Sequence, residues 1–163
     1  GLWCRRQMMG NQAVSPRVDP TIATITADLV DGYRVVISNG RHHWSADEPL
    51  ELGGSDEGPN PYELLLGALA ACTSITLSMY AKRKAIPLES ISVRYEFDRV
   101  HAEDCAACDD DASGFIEQVT SEIFVEGDFS EEQRQRLEEV ARRCPVHKTL
   151  DRGVHFEESV IVG

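Results

Sequence analysis

The amino-acid sequence predicts a single α+β domain in which antiparallel sheets pack around a buried central helix. Three observations carry that expectation. Segments with period-two alternation stand on both sides of two helical stretches, in the order β-β-(β)-α-β-β-α-β, which suits antiparallel pairing. One helical stretch is apolar on nearly every side, and a helix of that kind is buried on every side. The chain has 163 residues, the length of one domain, with no visible repeat. At that size a protein buries about 70% of its unfolded surface, enough for a core without disulfide staples.

Residues 1–18 have no clean period and read as a loosely held N-terminal arm, with the domain proper over 19–163. From Thr21 to Ser38 the pattern alternates, and Asp31-Gly32 marks a hairpin turn, after which Tyr33, Val35 and Ile37 share a face. Residues 39–59, rich in Gly, Pro and Asp, read as a long ordered loop or a short third strand. Asn60, Pro61 and Glu63 then form a helix start: an N-cap, a first-turn proline and a capping-box partner. The helix continues through Leu64, Leu65, Leu66, Leu69, Cys72, Ile75 and Leu77, and ends with Lys82, Arg83 and Lys84 before Pro87. Ile91, Val93, Tyr95 and Phe97 alternate with polar residues, as do Phe115, Val119, Ile123 and Val125, giving two strands joined by an acidic connection over 98–114. Ser130 and Gln133 start a second helix whose stripe is Leu137, Val140, Ala141 and Cys144, with Pro145 as its stop. Val154, Phe156, Val160 and Val162 make a last strand.

The chain carries 16 Lys+Arg against 28 Asp+Glu, a formal charge of −12. Nucleic acid and anionic membrane both demand clustered basic surface, so neither is expected as a main partner. The longest apolar run, Leu64 to Cys72, falls short of the roughly 20 residues a bilayer requires. No signal-peptide core is visible in residues 1–20, so a cytoplasmic location with reduced thiols is expected.

The chemistry lies in the cysteines. Cys72 sits mid-helix and Cys144 on the stripe of the second helix. Both helices bury those faces in one small core, which allows the two sulfurs to approach each other. Each is also accounted for as a small buried hydrophobe, since free cysteine is among the most buried residue types. Their contexts add more: Thr73 and Ser74 put small polar groups beside Cys72, and His147 follows Cys144 at a helix break.

The run NPYELLLGALAACTSITLSMYAKRK (60–84), preceded by DEPLELGGSDEGP and followed by CPVHKTL (144–150), resembles the OsmC/Ohr family of osmotically inducible and organic hydroperoxide resistance proteins. The resemblance covers about residues 21–163. It is carried by N-P-x-E-L-L, a Cys twelve positions after the Asn, and the later Cys-Pro. It implies the OsmC-like fold as an intertwined homodimer with two interfacial sites, each pairing a reactive Cys on the central helix with a resolving Cys. The implied activity is thiol-dependent reduction of hydrophobic organic hydroperoxides, with no haem, flavin or metal and with a dithiol or lipoylated protein as reductant. On this resemblance Cys72 is the peroxidatic thiol and Cys144 the resolving one.

The residues permit that chemistry. A thiolate attacks the O–O bond and becomes a sulfenic acid, which a second thiol condenses with. Leu65, Leu69, Ile75 and Leu77 suit an apolar peroxide but raise a thiol's pKa by desolvation, so a cation is expected to offset them. In the relatives that cation is an Arg held by a Glu. The family's Glu position is Tyr62 here, with Glu63 one residue later. Glu63 and Cys72 lie about 13.5 Å apart along a helix and on opposite sides, so Glu63 acts from a partner subunit or is simply the capping residue. Arg41 is the candidate cation and Arg34 the second, with His42, His43 and His147 as alternatives.

His101, Cys105 and Cys108 form H-x3-C-x2-C in the acidic stretch VHAEDCAACDDD, a spacing that can hold zinc with a carboxylate from Glu103, Asp104 or Asp109. The same C-x-x-C is alternatively a redox pair, or a solvated acidic hairpin. Two functions compete with the peroxidase: a small-molecule binding module with inert cysteines, and a zinc-dependent or hydrolytic site around the 101–109 loop and Cys144 with His147.

Overall fold

Asp31 and Gly32 reverse the chain, with Gly32 in the left-handed region (φ 51°), and the strands on either side pair antiparallel. In this computed structural model, which describes residues 23–101 and 114–163, they are β1 (Thr26–Asp31) and β2 (Arg34–Ser38), in register Leu29↔Val35 and Ala27↔Ile37. The short third strand is present as β3 (His43–Ala46), which completes a sheet of order β1-β2-β3. The N-terminal arm and residues 102–113 lie outside the described residues.

After β3 the loop is held from within. Asp47, 2% exposed, accepts the Glu48 N–H at 2.8 Å and the Glu57 N–H at 3.2 Å. Close approach explains a glycine here: a Cβ on Gly54 would lie 1.9 Å from the Glu48 carbonyl oxygen. Arg34 Nε lies 3.0 Å from Glu57 Oε2, a contact between charges and not an aligned hydrogen bond.

Asn60 caps α1 (Pro61–Arg83) by the reciprocal pattern that the sequence predicts: its side chain accepts the Glu63 N–H at 2.9 Å, and Glu63 Oε1 accepts the Asn60 N–H at 3.5 Å. Among the described residues α1 is, by length and composition, the helix long and apolar enough to cross a membrane. Its buried stripe is Leu69, Thr73, Leu77, Tyr80 and Ala81. The opposite row, Gly67, Ala71, Ile75 and Met79, faces outward, with Ile75 53% and Met79 68% exposed. A Cβ on Gly67 would meet nothing within 4 Å. Burial on every side is therefore not met among the described residues, whose elements cover a single face of the helix.

That cover is a long antiparallel ribbon, β4 (Leu88–His101) and β5 (Phe115–Gly127), in register Ile91↔Val125 and Tyr95↔Ser121, together with the C-terminal helices. Helix α2 (Glu131–Ala141) starts with the predicted capping box, Ser130 with Gln133. It sends Leu137 and Val140 into a core with Leu77, Tyr80, Ala81 and Ile86, flanked by Ile91, Ile123, Val125 and Phe129.

Two expectations at the C-terminus are corrected. Helix α2 ends at Ala141, and Pro145 does not stop it but opens a third helix, α3 (Pro145–Arg152). Cys144 is the N-cap of α3, not the last rung of the α2 stripe. Proline fits the first position of a helix as well as it ends one, since the N–H it lacks has no partner there anyway. The expected last strand does not form. Residues 154–163 join neither sheet, and Phe156 (75%) and Ile161 (93%) lie exposed. Alternation alone makes no strand without an edge to pair with.

Candidate functional site

The buried stripe of α1 and the N-terminus of α3 meet at the two thiols. Lys148 N–H donates to the Cys144 carbonyl at 3.1 Å, the first bond of α3, which fixes Cys144 at the helix mouth. Cys144 is 1% exposed, whereas Cys72 is half-buried; both are free thiols, near enough that each acts on the other's ionisation.

Their surroundings treat the two sulfurs differently. Burial pushes the Cys144 thiol up. The Cys72 thiol, the backbone N–H of His147, the Thr73 hydroxyl and the backbone N–H of Val146 together outweigh that effect and hold Cys144 below the ordinary thiol value. Cys72 moves the other way. Burial, then the hydrogen bond and the charge of Cys144, push it up against the opposing Val146 N–H and Thr76 hydroxyl. None of these leading influences on Cys72 is a cation. Behind the pair, the fully buried Thr73 hydroxyl lies 2.6 Å from the Tyr95 hydroxyl of β4.

Beside the thiols a cavity of about 330 Å³ opens, walled by Leu69, Tyr95, Val119, Leu150, His147 and Asp151. Neither cavity is lined by a cysteine, but the larger, about 380 Å³ between β5 and α2, also lacks Leu69, Tyr95 and His147 and lies away from this chemistry.

The sequence-derived candidates fall into three groups. Cys72, Cys144 and His147 are brought together, with His147 lining the cavity. Arg41 and Glu63 are placed elsewhere in this chain. Arg41 sits in the β2–β3 turn, where its N–H donates to Asn39 Oδ1 at 3.0 Å, and the Glu63 carboxylate is used in the α1 cap. Arg34 faces Glu57, His42 shares the Asn39 turn, and His43 opens β3. His101 ends β4, and Cys105 and Cys108 lie outside the described residues. Among the described residues no cluster of three metal-binding side chains occurs.

Sequence reasoning missed Tyr95 and the donors of α3. The available signal was Pro145 followed eight positions later by Gly153, a proline-first, glycine-last pair that brackets a helix starting right after Cys144.

Fold and site together define a small α+β protein with a paired-thiol centre. The OsmC-like protein family profile matches residues 54–159, and the chain belongs to that family. Solved structures share the fold: an OsmC-like protein from Mycoplasma pneumoniae (22% identity, 82% of this chain and 89% of that one, TM-score 0.62). An organic hydroperoxide resistance protein OsmC from Legionella pneumophila (22%, 80% and 89%, TM-score 0.55) does so too. So does the organic hydroperoxide resistance protein OhrB of Bacillus subtilis (23%, 78% and 88%, TM-score 0.51). In sequence, the chain is 38% identical over 60 residues to the protein YmaD of Bacillus subtilis, a match spanning 37% of this chain and 40% of YmaD.

Proposed function

We propose that this protein is a cytoplasmic thiol peroxidase that reduces hydrophobic organic hydroperoxides, with Cys72 as the attacking sulfur and Cys144 as the resolving one. Two free thiols brought close together near an open, partly apolar cavity are the observation that carries the reading. Membership of the family, some of whose structural neighbours are organic hydroperoxide resistance proteins, supports it. Cys72 is the more accessible sulfur, as an attacker must be. Its attack breaks the O–O bond, releases the alcohol and leaves a sulfenic acid; Cys144 displaces hydroxide from that sulfur and closes a disulfide. A dithiol or lipoylated reductant reopens the bond by exchange. A homodimer completes this reading, since α1 and residues 154–163 present apolar surface that the chain does not cover.

The test is to titrate reduced protein with cumene hydroperoxide, count thiols and map the linkage by mass spectrometry. Loss of two thiols per chain with a Cys72–Cys144 bond is expected. Thiols that stay reduced in excess peroxide would overturn the proposal in favour of a binding role for the cavity.

A further inference from the structure

A disulfide between the two thiols has two sulfurs that a reductant could attack, and access decides between them. The incoming sulfur approaches opposite the bond it breaks, so the attacked cysteine needs open space on its far side. Cys144 has none. It is 1% exposed and, with Thr73 and Leu77 of the α1 stripe, fully buried. Its backbone is held as well, by the Lys148 N–H on its carbonyl at 3.1 Å and by Pro145 behind it. Uncovering Cys144 therefore requires the first turn of α3 to open. Cys72 stands instead on the shoulder of α1, between the buried stripe and the outward row, and is half-buried. A helical side chain leans toward the N-terminus, over the residues three and four positions earlier. For Cys72 these are Leu69, a wall of the 330 Å³ cavity, and Ala68, which is exposed and adds only a methyl group.

We propose that Cys72 is the sulfur through which the pair exchanges with every outside thiol: the reductant attacks Cys72, the mixed disulfide forms there, and Cys144 is the leaving group that never carries the partner. This rests on the paired-thiol reading above and assigns its return half. A thiolate of the dithiol bonds to the Cys72 sulfur, the Cys72–Cys144 bond breaks, and its electron pair leaves on Cys144, which takes a proton from solvent. The second thiolate of the dithiol then attacks the reductant's own first sulfur, closes a cyclic disulfide and releases Cys72 as a thiolate. One protein disulfide and one dithiol become two protein thiols and one cyclic disulfide, with two electrons passing from the reductant. The same geometry disfavours a monothiol. Its adduct on Cys72 sits beside the freed Cys144, which attacks Cys72 again, expels the monothiol and restores the disulfide. A dithiol escapes that reversal by attacking within its own molecule.

For the test, the full chain is oxidised with diamide, so that no peroxide is needed, then treated briefly with mercaptoethanol, quenched in acid and mapped by mass spectrometry. The adduct is expected on Cys72, in more than about tenfold excess over Cys144. In Cys144→Ser the adduct on Cys72 should persist, because nothing expels it. A second measure compares reduced Cys144→Ser with reduced Cys72→Ser in their reaction with dithiodipyridine, followed by peptide mapping. It is taken at a pH where both rates have reached their plateau, so that access and not ionisation sets the difference. Cys72 in the first variant should be labelled more than about tenfold faster than Cys144 in the second, and urea below the unfolding midpoint should speed the labelling of Cys144 as α3 opens. An adduct on Cys144, or equal plateau rates, overturns the assignment and leaves the peroxidase reading intact. The expected labelling in a protein that consumes no cumene hydroperoxide sinks the peroxidase and leaves the assignment standing.

Discussion

Asp47 shows how one residue fixes a segment that composition describes only as a loop. Burial raises its pKa, but the N–H groups of Glu48, Glu57 and Ser55 and the charge of Arg34 outweigh burial and hold the carboxyl below its ordinary value. A depressed carboxyl contributes stability that is fully present above its unfolded-state pKa and is lost as pH falls through the lower folded one. Urea midpoints measured across the acid range should therefore fall through that window in wild type. Asp47→Asn should be less stable at neutral pH and flatter in acid. At this scale the sequence offers Glu63 as a cap or as a residue acting from a partner subunit, and it allows the two sulfurs to approach. It did not disclose Asp47, because its partners are backbone groups up to ten positions away whose direction the loop geometry decides. Nor did it disclose Tyr95 as a partner of Thr73, 22 positions apart, since strand alternation says which way a side chain points and not what it meets.

Among the elements, the legible ones carry their own start signals. The β1–β2 hairpin follows from Asp31-Gly32, α1 from Asn60, Pro61 and Glu63, and α2 from Ser130 and Gln133. Helix α3 is illegible because a proline serves equally as the end of one helix and the first residue of the next. The caps support a quantitative prediction. Ser130→Ala, which removes the acceptor of the Gln133 N–H, should cost about 1 kcal/mol with an unchanged denaturant m-value. Leu77→Ala, at a fully buried position shared by α1 and the core under α2, should cost about 2–5 kcal/mol. Chemical denaturation of both variants checks the ranking. A cap variant costlier than the cavity variant would mean that α2 is held by its end and not by Leu137 and Val140.

For the molecule as a whole, the sequence predicted the class and the antiparallel pairing but placed a strand at 154–163 that one chain does not form. The period-two pattern there is real; a strand depends on an available edge, and that is a property of an assembly and not of a segment. The same holds for α1, whose apolar circumference exceeds what its own chain covers. In the proposed homodimer both are accommodated, so light scattering of the purified protein should give twice the 18.1 kDa chain mass. A monomer at micromolar concentration would contradict it.

Gly67 sharpens the point. A glycine inside a helix sacrifices about 0.5–1 kcal/mol relative to alanine. Here the backbone is ordinary helix, and among the described residues no atom stands where a methyl group would go. Intramolecular sterics therefore give no reason to omit the methyl. In the proposed homodimer the bare backbone at residue 67 is where a second subunit would press closest.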